Sequence, residues 1–294
     1  MSNQLTPYKQ RFAQMEKTFS VALPKIAEVF DDPAMARRFQ RIALAQMTPQ
    51  SKLLECDTPS ILGCLLESAE LGLEPAVAGQ CWLVPFKRSS TLIVGYMGFK
   101  DLAWRSGQVS SFYADCVHEA DQFDYFQGFG QGREPWLEHR RAALDGEDPG
   151  DLRASYCAVQ TTSGGWMLKV LSKPEVLKRK GNSHTRRDSA WVTHADAMWT
   201  KSAVRALYPM LPTTTQSRRA LDVDRAADAG KQALAVDPID FGVDPEMWQE
   251  SDAAITEAKD ITPKLPCGKP CGNTTADEPL SCSLDEGHDG ACAP

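Results

Sequence analysis

Residues 80–109 read QCWLVPFKRSSTLIVGYMGFKDLAWRSGQV, and their pattern decides the fold class. The runs 80–86 and 91–95 are short and rich in residues that favour strands, and Lys87-Arg88-Ser89-Ser90 between them is a polar, turn-forming tetrad. A β-hairpin with a basic tip is predicted. Phe99, Leu102 and Ala103 then recur at helical spacing over 97–106, and Gly107 is placed to end that helix. Gly95, Gly98 and Gly107 bracket it. Glycine there lets backbone or ligand approach closely, although turn geometry alone accounts for Gly107.

On the N-terminal side, Phe12, Met15, Phe19, Leu23 and Ile26 follow three- and four-residue steps, so a helix is expected that Pro24 must kink or break. A second is expected over 34–47, with Met35, Phe39, Ile42 and Met47 as its stripe and Asp31, Asp32 and Pro33 at its start. A third runs from about 59 to 71, capped by Asp57 or Thr58 and terminated by Gly72. On the C-terminal side, 109–119, 123–126, 137–139, 152–161 and 165–170 favour strands, the last pair joined by a Ser163-Gly164 turn. Helices return over 174–180 and 195–208, around a polar loop at 181–188 and before Pro209 and Pro212. This α, β, α order indicates an α+β chain with a helical lobe over 1–74, a core over 75–231 and a tail over 232–294.

The chain has 294 residues with 42% hydrophobic and 24% charged, enough for one large core or two modest ones. Its longest apolar runs are a few residues, far short of the about 20 a membrane span needs. The N-terminus lacks a secretory pattern, and a cytoplasmic protein is expected. Cys56, Cys64, Cys81, Cys116 and Cys157 lie in apolar surroundings that suit reduced, buried thiols. The net charge of −7 hides a polarised chain. Residues 1–150 carry 15 Lys and Arg against 19 Asp and Glu, 151–231 carry 14 against 7, and 232–294 carry 3 against 13.

No phosphate-binding loop, dinucleotide glycine fingerprint, nucleophile elbow or helical pair of metal-spaced histidines is present. Asp115, Glu119, Asp121 and Asp124 could hold a divalent ion for phosphodiester cleavage, but nothing of nuclease spacing accompanies them, and a solvated surface is the favoured reading. The stretch 169–205 is more informative. Lys169, Lys173, Lys178, Arg179, Lys180, Arg186, Arg187, Lys201 and Arg205 are interleaved there with Trp166, Trp191 and Trp199. Cations neutralise phosphates and flat rings stack on bases, a combination suited to single strands. Against this, Trp191 and Trp199 also suit a core, and Lys178–Lys180 a solvated helix end. In the tail, Cys267, Cys271, Cys282, His288 and Cys292 form C-x3-C-x10-C-x5-H-x3-C. Four of these five could bind zinc tetrahedrally; the alternative is a flexible acidic tail with reduced thiols.

Three blocks resemble the RecT family of phage single-strand annealing proteins: Leu71-Gly72-Leu73-Glu74-Pro75, the 80–109 stretch above, and WVTHADAMWTKSAVRALYPMLP over 191–212. Their order and spacing match over roughly 50–225. The resemblance implies a bacterial, phage- or prophage-encoded protein that coats single-stranded DNA and anneals it to a complementary strand without ATP or bond chemistry, so that no cofactor is required. It further implies a curved antiparallel sheet packed with helices, assembly into rings or filaments, and partnership with a phage exonuclease and the host single-strand-binding protein. Carried onto this chain, Tyr96, Lys100, Trp104 and Arg105 fall in the second block, and Trp191, Lys201 and Arg205 in the third. Lys201 and Arg205 are four apart and share a helical face, which makes them the leading phosphate contacts. Lys87, Arg88 and the 173–187 cations would complete the groove. Met97, Trp104 and Ala206 stand where many members carry cations. Trp104 is either a stacking ring or a packed one. Two rival functions remain, a metal-dependent nuclease or other recombination enzyme, and an adaptor acting through a zinc-bound tail.

Overall fold

A computed structural model describes residues 7–48, 52–86, 88–128, 134–181, 190–212, 214–230 and 236–246. Three helices open the chain: α1 (Pro7–Ile26), α2 (Pro33–Gln46) and α3 (Thr58–Glu70). Pro24 does not break α1, because only two residues follow it and the lost hydrogen bond falls at the helix end. Asp32 caps α2 by accepting from Ala34 N–H at 2.8 Å, and Asp57 caps α3 by accepting from Ser60 N–H at 2.9 Å. The hairpin of β1 (Cys81–Phe86) and β2 (Ser89–Val94) follows, in antiparallel register from Cys81 opposite Val94 to Phe86 opposite Ser89. Its tip is tied to the α3 cap: Asp57 N–H donates to Arg88 O at 2.7 Å, and Ser89 Oγ to Asp57 Oδ2 at 3.0 Å.

Helix α4 (Tyr96–Arg105) explains the two glycines at its start. A Cβ at Gly95 would lie 2.0 Å from Gly79 O, and one at Gly98 would lie 2.3 Å from Gln80 O. The first turn of α4 therefore rests directly on the backbone of the 79–80 turn, where no side chain fits. Around Gly107, by contrast, a Cβ would meet nothing within 4 Å, and its φ of +69° is a turn requirement only.

The middle holds β3 (Val109–His118), β4 (Gln122–Phe126), β5 (Trp136–Arg140), β6 (Leu152–Thr161) and β7 (Trp166–Ser172). These do not join the hairpin in one curved sheet. Among the described residues there are three antiparallel sheets, β1-β2, β3-β6-β7 and β4-β5. Both faces of β6 are covered, because its side chains alternate. Cys157 and Val159 enter the main core, while Tyr156 joins Val117 and Val170 in a small second cluster against Phe123 and Leu137. The last elements are α5 (Lys173–Gly181), the single turn α6 (Ala190–Thr193), α7 (Ala195–Leu207) and α8 (Thr215–Asp228). Helix α7 crosses β3, β6 and β7 and also packs on α4 and α5, while α8 packs on β2 and α4. Helix α8 was not expected from the pattern. Its buried face is Ser217, Ala220, Leu221, Val223 and Asp224, too short and too polar to read as a stripe. No described helix is long and apolar enough to cross a membrane.

Candidate nucleic-acid interface

The three sequence blocks converge in space. Arg105, at the last turn of α4, donates to Leu71 O at 3.0 Å and pairs with Asp101 at 3.1 Å. It lies over Gly72, whose φ is +62° and where a Cβ would sit 2.6 Å from a guanidinium nitrogen. Gly72 is thus required by the left-handed turn that ends α3, and the cation rests on the space its missing side chain leaves. Phe99 of the second block meets Tyr208 of the third edge-on, with centroids 4.8 Å apart. Where these blocks end, Ser106 and Gln108 face Pro209, Leu211 and Pro212 across a cleft of about 560 Å3 that also holds Thr214 and Arg218. Arg218 was missed from the sequence. It lies beyond the third block, where no motif marks it.

Lys201 and Arg205 share a face of α7, as their spacing requires, but that face is turned inward onto α8. Lys201 is only 6% exposed, and its Nζ lies 2.7 Å from Asp224 Oδ1. Arg205 Nε lies 3.1 Å from Asp224 Oδ2, close enough for an ion pair but off-axis for a hydrogen bond, and the guanidinium also pairs with Asp228. Asp224 Oδ1 accepts as well from Val94 N–H at 3.2 Å, so one buried carboxylate joins α7, α8 and β2. Burial opposes the charge on Arg205, but Asp224 and Asp228 more than offset it and hold the guanidinium protonated above its ordinary range. The expectation that these two cations lie open to a phosphate track is therefore corrected for this arrangement. Trp191 and Trp199, at 8% and 6% exposed, are core residues rather than stacking platforms.

Other cations remain open. Lys178 and Arg179 are exposed and Lys180 half-buried in the last turn of α5; Arg179 donates only to Glu175 O of its own helix, and Lys178 and Lys180 have no ion-pair partner among the described residues. Arg88 is exposed at the hairpin tip. On α4, Lys100 Nζ stands 4.5 Å from the centroid of Trp104, which is 46% exposed, so a cation and a flat ring are presented together. Tyr96 is half-buried beside them in sequence. Trp82, also exposed, was passed over, although strict alternation along β1 puts it opposite the buried Cys81 and Leu83. Helix α7 packs against both α4 and α5, the two helices that carry these cations. Lys87, Arg186, Arg187 and the tail residues Cys267, Cys271, Cys282, His288 and Cys292 lie outside the described residues.

Of the acidic positions named for metal-assisted cleavage, Glu119 and Asp124 are exposed, whereas Asp115 and Asp121 are committed elsewhere. Asp115 pairs with Arg141. Asp121 is buried; burial alone would raise its carboxyl, but the N–H groups of His118 and Ala142 and the ring of His139 outweigh that and hold it down at about 2.

Arg219 is held by α3, 2.8 Å from Glu70 and 3.9 Å from Glu67. Burial raises Glu67 to about 7, partly opposed by Arg219 and reinforced by Glu70. Because the folded-state value lies above the unfolded one, the charged form works against folding, and stability falls as pH rises through that interval. Glu67→Gln should therefore gain about 2 kcal/mol over the parent near pH 8, with the difference vanishing below about pH 4.5. Urea denaturation at the two pH values measures this, and a pH-independent difference would contradict it.

A RecT family model matches residues 37–236. The chain is 32% identical over 238 residues to "Protein RecT" of Escherichia coli (strain K12), covering 78% of this chain and 81% of that protein. It is 24% identical over 205 residues to the "Uncharacterized protein YqaK" of Bacillus subtilis (strain 168), covering 68% of each.

Proposed function

The chain belongs to the RecT family, and from that premise we propose that it binds single-stranded DNA and anneals complementary strands without ATP, in phage-type homologous recombination. The observation that carries this reading is the cation cluster at the end of α5, which has no ion-pair partner among the described residues. It belongs to the one net-positive third of the chain and falls inside the family match. Annealing requires no bond to be made or broken by the protein. It requires that one strand's phosphates be neutralised, that its bases be kept out of self-pairing, and that their Watson–Crick edges stay open. The second strand then supplies the drive, about 1.4 kcal/mol per stacked step.

In this reading Arg88, Lys100, Lys178, Arg179, Lys180 and Arg218 contact phosphates, and Trp104, with Lys100 across its ring, offers a face to a base. Arg105, Lys201 and Arg205 act behind them by fixing α4, α7 and α8. Lys87, Arg186 and Arg187 extend the same basic sequence, and a second copy of the chain would extend the short track of each. The family's partners, an exonuclease and the host single-strand-binding protein, are part of the same proposal. Zinc in the tail stands as a separate one.

The test is annealing of two complementary labelled oligonucleotides by the full chain, without nucleotide. Pairing well above the protein-free rate, with both strands intact in magnesium, is the expected result. No acceleration, or cleavage of either strand, would overturn the proposal.

A further inference from the structure

We infer that Cys116, His118 and Asp196 form a zinc site that fastens the start of α7 to β3. One ligand atom from each of the three lies within 4.8 Å of the other two. Cys116 and His118 are two apart on β3 and so project toward the same side, and Asp196 comes from the first turn of α7, which packs on that strand. The β3–β6 register slips beside His118 with Arg153 as the extra residue on β6, so β3 itself stays regular between Cys116 and His118.

The chemistry of the three donors selects the ion. A sulfur, an imidazole nitrogen and a carboxylate oxygen suit zinc, whereas magnesium and calcium favour oxygen alone. A tetrahedral shell with zinc bond lengths spaces its ligands about 3.3–3.8 Å apart, so the side chains need close by only about 1 Å. Beside His118 stands the buried Asp121, whose Oδ2 accepts from the His118 backbone N–H at 2.8 Å and lies 3.7 Å from its Nδ1, beyond hydrogen-bond reach. Asp121 is in turn fixed by His139 Nε2 at 3.1 Å and by Ala142 N–H at 2.9 Å. Loading balances as loss of the Cys116 thiol proton to solvent and formation of a sulfur–zinc bond. Cys116 is buried and Asp196 exposed, so the fourth position opens toward water on the Asp196 side. With three protein ligands the site is distinct in composition from the cysteine-rich tail.

The experiment uses the full chain with Cys267, Cys271, Cys282 and Cys292 all changed to serine, so that the tail cannot contribute thiolates, and cobalt(II) as the probe. One equivalent should bind with a sulfur-to-cobalt charge-transfer band, and zinc should displace it. Adding Cys116→Ser should remove the band, and adding Asp196→Ala should weaken zinc affinity at least tenfold. If the tail-serine protein shows no band, or if the band survives Cys116→Ser, the site does not exist. Should Cys116→Ser fail to fold, the exposed Asp196→Ala decides, because unchanged affinity there overturns the assignment.

Discussion

Asp224→Ala is expected to cost the folded chain about 3–5 kcal/mol, the usual toll of breaking a buried ion pair from one side. The side chain is fully buried; Lys201 Nζ at 2.7 Å and Val94 N–H at 3.2 Å donate to it, and Arg205 Nε pairs with it at 3.1 Å. Removing the carboxylate leaves Lys201 charged and sealed from water, and leaves a buried N–H of β2 without its acceptor. Arg205 suffers less, because Asp228 still pairs with it. The urea midpoint should fall with little change in slope, since the surface exposed on unfolding is the same. A second variant separates loss of charge balance from loss of packing. Asp224→Leu combined with Lys201→Met replaces the pair by apolar groups and should recover most of the stability. A loss below about 1 kcal/mol in the alanine variant would mean that water reaches the pair and that it is an ordinary surface contact.

That network also shows where sequence reasoning reaches and where it stops. The four-residue spacing of Lys201 and Arg205 correctly puts them on one face, because helical geometry is local. What covers the face is not local. Asp224 lies 23 residues beyond Lys201, on a helix whose buried side sets only Leu221 and Val223 among serine, alanine and aspartate and so carries little hydrophobic signal. The hairpin and β6 were legible for the opposite reason, since strand-favouring composition and the flanking turn residues are local signals that agree there. Gly95 and Gly98 were legible as positions needing close approach, but not as seats for the 79–80 backbone, which depends on how α4 folds back. The division into three sheets was equally hidden. The alternation in 122–126 and 136–140 fits pairing with any neighbour, and only the packing of Phe123 against Tyr156 and His139 sets that hairpin apart.

Reversing the α5 cluster by Lys178→Glu, Arg179→Glu and Lys180→Glu should have the largest effect on strand binding. If each cation neutralises one phosphate of a single strand, the slope of log affinity against log salt should flatten by about 0.7 per lost contact, or about 2 in all. At about 1 kcal/mol for each exposed charge contact, affinity near physiological salt should fall on the order of 100-fold, equally for all base sequences. The fold should tolerate the change, because these side chains project from the helix end; like charge at that terminus costs about 0.3–1 kcal/mol per residue at most. Lys201→Ala supplies the contrast. Its nitrogen is committed to Asp224, so it should lower the urea midpoint and leave the salt slope of the remaining folded protein unchanged. The pair of measurements distinguishes a cation that grips the strand from one that holds the helix in place. If the α5 variant keeps the parental slope while Lys201→Ala flattens it, α8 must lift away from α7 on binding, and the phosphate track runs beneath it rather than along α5.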